Sequence, residues 1–91
     1  MKSILLILLA ITFTTLHLKT EPLQGQAKLD SLLSELPKAK GDTNEVKLLS
    51  AISYYFKYTN PDKGIEYGQK GVKLAKKINW RVGEVDCYNS L

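Results

Sequence analysis

The segment 60–75 most constrains the fold, because it joins a strong helix start to small residues at helical spacing. Asn60 is a favoured N-cap residue, and Pro61 falls at the first helical position, where its missing N–H costs nothing. Each glycine in a helix interior costs about 1 kcal/mol relative to alanine. The segment nevertheless contains Gly64, Gly68 and Gly71. It therefore predicts a helix whose glycine face lies close to another helix, or, alternatively, a weak and frayed helix.

Two amphipathic helices are predicted before this segment. Residues 28–36 carry leucines at i, i+3, i+4 and i+7, which lie on one face of a helix, and Pro37 ends the pattern. Asp42, followed three residues later by Glu45, resembles a capping box and starts a second helix that runs to about Tyr58. The apolar stripe of the second helix consists of Leu48, Leu49, Ile52, Tyr55 and Phe56.

A fourth helical pattern begins near Trp80 and continues to the last residue, with Asn79 as the break before it. Its apolar residues are Val82, Val85, Tyr88 and Leu91. No capping residue follows them, so we expect an uncovered apolar stripe on the N-terminal part of a longer protein.

The predicted hairpin core is Leu49, Ile52, Phe56, Ile65 and Val72. Gly71→Leu is expected to disrupt this core, whereas Gly71→Ala is expected to stabilise the chain through its higher helix propensity.

The first residues are typical of a secretory signal peptide. Met1 and Lys2 are followed by an apolar run of about ten residues, shorter than the ~20 that a membrane-spanning helix needs. Cleavage is expected within residues 24–27, and an uncleaved membrane anchor is the alternative. The sequence thus divides into a signal region at 1–27, a lead-in helix and connector at 28–41, and a helical-hairpin region at 42–91. Export predicts a periplasmic or cell-envelope location.

Composition excludes several classes of site. His17 lies in the signal region, and Cys87 is the single cysteine, so the residues after the signal offer neither a histidine-based triad nor a metal cluster. Cys87 is expected to be a small buried residue. The net charge of +4 is mild and its basic residues alternate with acidic ones, which argues against nucleic-acid binding. We predict no enzymatic activity for these residues and no cofactor. The lysines of segment 70–77 suit a helix C-terminus, and a functional basic patch is the alternative.

The hairpin pattern resembles the tetratricopeptide repeat. The family's first helix has the pattern Trp-x-x-Leu-Gly-x-x-Tyr, matched here by Leu49-x-x-Ile52-Ser53-x-x-Phe56 with Leu49 in place of tryptophan. Its second helix has small residues seven apart, matched by Gly64 and Gly71. Tyr88-x-x-Leu91 would begin a second repeat. The resemblance implies an all-α solenoid of antiparallel helical hairpins that binds a protein or peptide.

The resemblance also implies where a ligand would bind, because the first helix of each hairpin lines the concave groove of the family. The residues opposite the apolar stripe of that helix are Lys47, Ser50, Tyr54 and Lys57. Two lysines around a tyrosine suit an acidic peptide or a terminal carboxylate, and an ordinary solvated helix face is the alternative.

The export signal, leucine-rich helix and hairpin together resemble the extracytoplasmic input region of bacterial envelope sensors. A membrane would then be contacted through the signal peptide or a downstream span. The alternatives are a secreted scaffold, the front of a sensor histidine kinase without its catalytic part, and a membrane-surface peptide without an independent fold.

Overall fold

A computed structural model of the chain describes residues 25–91, and these residues form four packed helices. The all-α prediction is therefore confirmed for this range, whereas the apolar run of the predicted signal peptide lies outside it. The helices are α1 (residues 25–35), α2 (Thr43–Phe56), α3 (Pro61–Lys77) and α4 (Arg81–Ser90), with a 3-10 helix at Leu36–Lys38.

Side-chain caps start α2 and α3 where the sequence predicts. The Asp42 carboxylate accepts the N–H of Glu45 at 3.1 Å, and the Asn60 side chain accepts the N–H of Lys63 at 3.3 Å. Each cap satisfies one of the N–H groups that a helix start leaves without a partner. The end of α2 differs from the prediction, since it ends at Phe56 rather than about Tyr58. There the N–H of Asn60 donates to the carbonyl of Phe56 at 2.8 Å, which turns the chain into the next cap.

A Schellman motif ends α3 and fixes the direction of α4. Asn79 adopts a φ of 57°, in the left-handed region that asparagine tolerates better than most residues. The N–H of Trp80 donates to the carbonyl of Ala75 at 2.8 Å, and the N–H of Asn79 donates to that of Lys76 at 3.1 Å. The break predicted at Asn79 is confirmed, and the chain reverses direction within three residues.

The glycine face of α3 lies between α2 and α4. A Cβ atom placed on Gly64 would lie 3.1 Å from the carbonyl oxygen of Ser53, and one on Gly71 would lie 3.3 Å from the Cβ of Leu49. On the other side, a Cβ on Gly71 would overlap the sulfur of Cys87. Along α3, the contacted residues of α2 become progressively earlier, so these two helices are antiparallel. The contact with Cys87 places α4 against the same glycine face, and together these contacts confirm the predicted close approach. The same contacts argue against the predicted stabilisation by Gly71→Ala, because the added methyl group would overlap the Cys87 sulfur.

The buried core differs in part from the predicted one. Leu49, Ile52 and Val72 are buried as predicted, but Ile65 is 46% exposed and Phe56 is half-buried. Ile65 follows Gly64, so it is rotated by about 100° from the glycine face that packs inward. Phe56 stacks on Tyr67 at 5.7 Å between ring centroids, at the edge of the core. The other buried apolar residues are Leu29, Val46, Ala75 and Cys87.

The outer face of α4 is apolar and exposed, as the sequence predicts. Val82 is 63% exposed, Val85 50% and Tyr88 51%. The inner face of the same helix is buried through Gly83 and Cys87. In residues 25–91, every helix is too short or too polar to cross a membrane.

Candidate functional site

An open groove of about 340 Å³ separates α2 from α4, which run side by side in the same direction. Three of the four predicted site residues lie in it, whereas Lys57 does not. Lys57 lies instead at a separate pocket of about 70 Å³ near the start of α3. We call the first space the α2/α4 groove. Its lining residues are Lys47, Ser50, Ala51, Tyr54, Tyr55, Asp86 and Ser90.

Two serine hydroxyls join α2 to α4 across the groove. The Oγ atoms of Ser50 and Ser90 lie 2.8 Å apart. The carbonyl oxygen of Asp86 lies 3.3 Å from the Ser50 Oγ and 3.0 Å from the Ser90 Oγ, and the two hydroxyl hydrogens can form two of these three hydrogen bonds at a time. Because its hydrogen bonds go to α4, Ser50 holds the two helices together and acts as a positioning residue for the groove.

Aromatic and basic side chains of α2 form one wall of the groove. Tyr54 is 53% exposed, and its ring meets that of Tyr55 edge to face at 5.6 Å between centroids. This contact limits the freedom of the phenol while leaving its surface open to a ligand. The Lys47 ammonium lies 5.9 Å from the ring centroid of Trp80, within the range of a cation–π interaction. The wall therefore presents one cation and one amphipathic ring.

The opposite wall carries the negative charge of Asp86, which was not among the site residues predicted from the sequence. Asp86 belongs to α4 and is exposed, and it faces the groove together with Ser90. The two residues are four apart and so share a helix face, but their approach to α2 depends on the Schellman turn and on the contact of Gly71 with Cys87. With Lys47 on one wall and Asp86 on the other, the groove is bipolar and not uniformly basic.

Cys87 lies behind the groove and belongs to the core, as predicted. The side chain is fully buried, and its thiol lies 3.9 Å from the carbonyl oxygen of Val46. Burial raises the pKa of the thiol above its ordinary value of 9.0, and the negative charge of Asp86 raises it further, against an opposing hydrogen bond from Ser50. The thiol is therefore protonated at neutral pH and is a poor nucleophile. Residues 25–91 contain no group of three or more side chains suited to hold a metal ion.

Comparison of the chain with models of known protein families, with curated proteins and with solved structures found no match. The likeness to tetratricopeptide repeats therefore rests on the residue pattern and carries over only to the proposal that follows.

Proposed function

We propose that the chain is an exported helical module of the tetratricopeptide type that binds a protein or peptide in the α2/α4 groove. The observation that carries the proposal is that Lys47, Ser50 and Tyr54, chosen by sequence, line one groove together. Side-by-side helices of this kind present an elongated concave surface, which suits an extended peptide.

The charges on the two walls define the ligand further. Lys47 would receive a carboxylate of the peptide as a point charge, and Tyr54 would contact its backbone or apolar atoms. Asp86 would repel a second carboxylate and would favour an N–H group or a cation at that end. Exposed charge contacts contribute about 0.2–1 kcal/mol each, so a single groove of this kind should bind weakly.

The biological setting that we propose is the input region of a bacterial envelope signalling protein. The predicted export signal and the resemblance to envelope sensors support an interaction role for this region. A secreted scaffold and the front of a sensor histidine kinase remain the alternatives. Any coding sequence beyond Leu91 tests the two alternatives: a membrane span with a kinase signature favours the kinase, and further repeats followed by a stop codon favour the scaffold.

We expect a Glu-rich hexapeptide with a free terminal carboxylate to bind the full chain weakly, with contacts at Lys47 and Tyr54. Lys47→Ala and Tyr54→Ala should each weaken binding about 2- to 5-fold, the size expected for an exposed contact of this kind. Asp86→Asn should strengthen it, because the repulsion of a second carboxylate is removed. Dissociation constants from NMR titration measure these changes.

Lys57→Ala and Tyr58→Ala serve as matched controls for this titration. They remove the same side-chain types from residues of the same region, outside the α2/α4 groove. Both should leave binding unchanged, and the amidated, Gln-substituted form of the hexapeptide should bind less. If the control variants weaken binding as much as Lys47→Ala and Tyr54→Ala, the assignment of the groove is wrong.

A further inference from the structure

Trp80 lies behind the α2/α4 groove, beside the cation that lines it. Among the lining residues of the groove, Lys47 is the basic one, and its ammonium lies 5.9 Å from the centroid of the Trp80 ring. Trp80 itself is not a lining residue of the groove. An effect of this ring on a ligand in the groove would therefore act through Lys47 or through the packing of α4.

Three contacts hold Trp80 in place. Its N–H donates to the carbonyl of Ala75 at 2.8 Å as part of the Schellman motif. Its half-buried ring packs against the buried core that includes Val46 and Cys87. On the side of α4, the ring lies against Gly83, where an added Cβ atom would overlap it. The position of the ring is therefore set by the backbone of α4 and by the core.

The Lys47 side chain is exposed and flexible, so a fixed neighbour changes what it offers a ligand. A lysine loses rotamer freedom when its ammonium is held in one place, and that loss weakens binding. The face of a tryptophan ring attracts a cation, which narrows the range of ammonium positions before a ligand arrives. Preorganisation of this kind strengthens binding by lowering its entropic cost.

We propose that Trp80 is a positioning residue that holds the Lys47 ammonium at the α2/α4 groove and so strengthens the preference of the groove for a carboxylate. This inference rests on the proposed function of the groove. It adds the residue that sets the charge selectivity, and it assigns Gly83 the role of making room for the ring on α4.

The position of Lys47 is measured first, by NMR of the full 91-residue chain without ligand. The ring current of Trp80 should move the signals of the Lys47 ε-methylene protons upfield, and Trp80→Leu should abolish this shift. Gly83→Ala should reduce it while keeping the indole, because the new methyl group displaces the ring. Tyr58→Leu is the matched control. It removes another ring whose centroid lies 5.9 Å from a lysine ammonium, that of Lys57, outside the groove, and should leave the Lys47 signals unchanged.

The effect on selectivity is measured with the Glu-rich hexapeptide and its amidated, Gln-substituted form. Trp80→Leu should weaken binding of the Glu-rich peptide about 2- to 5-fold, the range that an exposed cation–π contact supplies, and leave the Gln-substituted form unchanged. A loss of packing would instead weaken both peptides. In a Lys47→Met background, Trp80→Leu should have no further effect, because the effects of residues that act through one another do not add. Circular dichroism confirms that each variant keeps its helices.

Four results would overturn the positioning role. They are a parent chain without the ring-current shift, an equal loss of affinity for both peptides, an additive effect of Trp80→Leu in the Lys47→Met background, and unchanged or tighter binding of the Glu-rich peptide by Trp80→Leu. Tighter binding would show that the ring competes with the ligand for the ammonium. If neither peptide binds the parent chain, the proposed function of the groove fails and the preference for a carboxylate fails with it. A ring-current shift that Trp80→Leu abolishes would still confirm the held position of Lys47.

Discussion

Gly71→Leu should lower the free energy of unfolding of the chain by about 1–3 kcal/mol or more, a large part of its stability. An added Cβ would overlap the Cys87 sulfur on α4 and press on Leu49 of α2, so a larger side chain must push both helices away from α3. Overpacking of a core typically costs 1–3 kcal/mol and occasionally more, while a domain of this size rarely has more than about 3–5 kcal/mol of net stability. Thermal unfolding followed by circular dichroism measures the loss.

Gly71→Ala and Gly25→Ala separate the packing effect from helix propensity. Alanine gains about 1 kcal/mol over glycine in a helix, yet Gly71→Ala should lower the free energy of unfolding because its methyl group meets Cys87. Gly25 is the first described residue of α1, and a Cβ there would have no atom within 4 Å, so Gly25→Ala, made in the uncleaved chain, should be neutral or stabilising. A Gly71→Leu variant that melts like the parent chain would show that α3 and α4 do not approach here.

Ile52→Ala should cost about 2–5 kcal/mol of unfolding free energy, more than Phe56→Ala at about 2 kcal/mol. The order is the reverse of side-chain size, because Ile52 is fully buried whereas Phe56 is half-buried beside Tyr67. Urea unfolding monitored by circular dichroism gives both values. Ile65→Ala is the matched control, since Ile65 is 46% exposed and its truncation should cost less than about 1 kcal/mol. A greater loss for Phe56→Ala or Ile65→Ala than for Ile52→Ala would contradict the assigned core.

Sequence reasoning succeeds where the physical cause is local. The caps at Asp42 and Asn60 are hydrogen bonds between residues three apart, so residue type and spacing suffice to predict them. The break at Asn79 is likewise local, since it depends on a left-handed residue at a helix end. The glycine spacing of α3 predicts a close approach, since the cost of three glycines to the helix is explained either by such packing or by a frayed helix, and the structure shows the packing.

Sequence reasoning is weaker where the result depends on how helices are rotated against each other. Ser53 is 1% exposed and donates to the carbonyl of Gly64 at 2.6 Å, a contact between two helices that spacing alone does not predict. The exposure of Ile65 has the same origin. In the candidate site, the residues of α2 were predicted from one helix, but Asp86 comes from α4, and its approach depends on all three helices.

The packing of the helices also explains why the four predicted site residues lie in two different pockets. Lys47, Ser50 and Tyr54 lie within about two turns of α2 and beside α4, so one groove includes them. Lys57, the C-cap of α2, keeps helical backbone angles, but it meets a different pocket, which Ser90 and Leu91 line at the end of α4. The α2/α4 groove therefore reaches only the first three residues of the i, i+3, i+7 and i+10 spacing.

The α2/α4 groove depends on one packing contact, the approach of α4 to the glycine face of α3. A Cβ at position 71 would lie 3.5 Å from the Cβ of Cys87, which is within the range of a disulfide. Mild oxidation of the Gly71→Cys variant under native conditions, followed by mass spectrometry and thiol titration, tests this contact directly. The structure predicts a monomer that loses two hydrogens and both thiols, whereas Lys73→Cys, on the exposed face of α3, forms no internal bond. Free thiols or intermolecular dimers in a Gly71→Cys variant that keeps its helices by circular dichroism would contradict it.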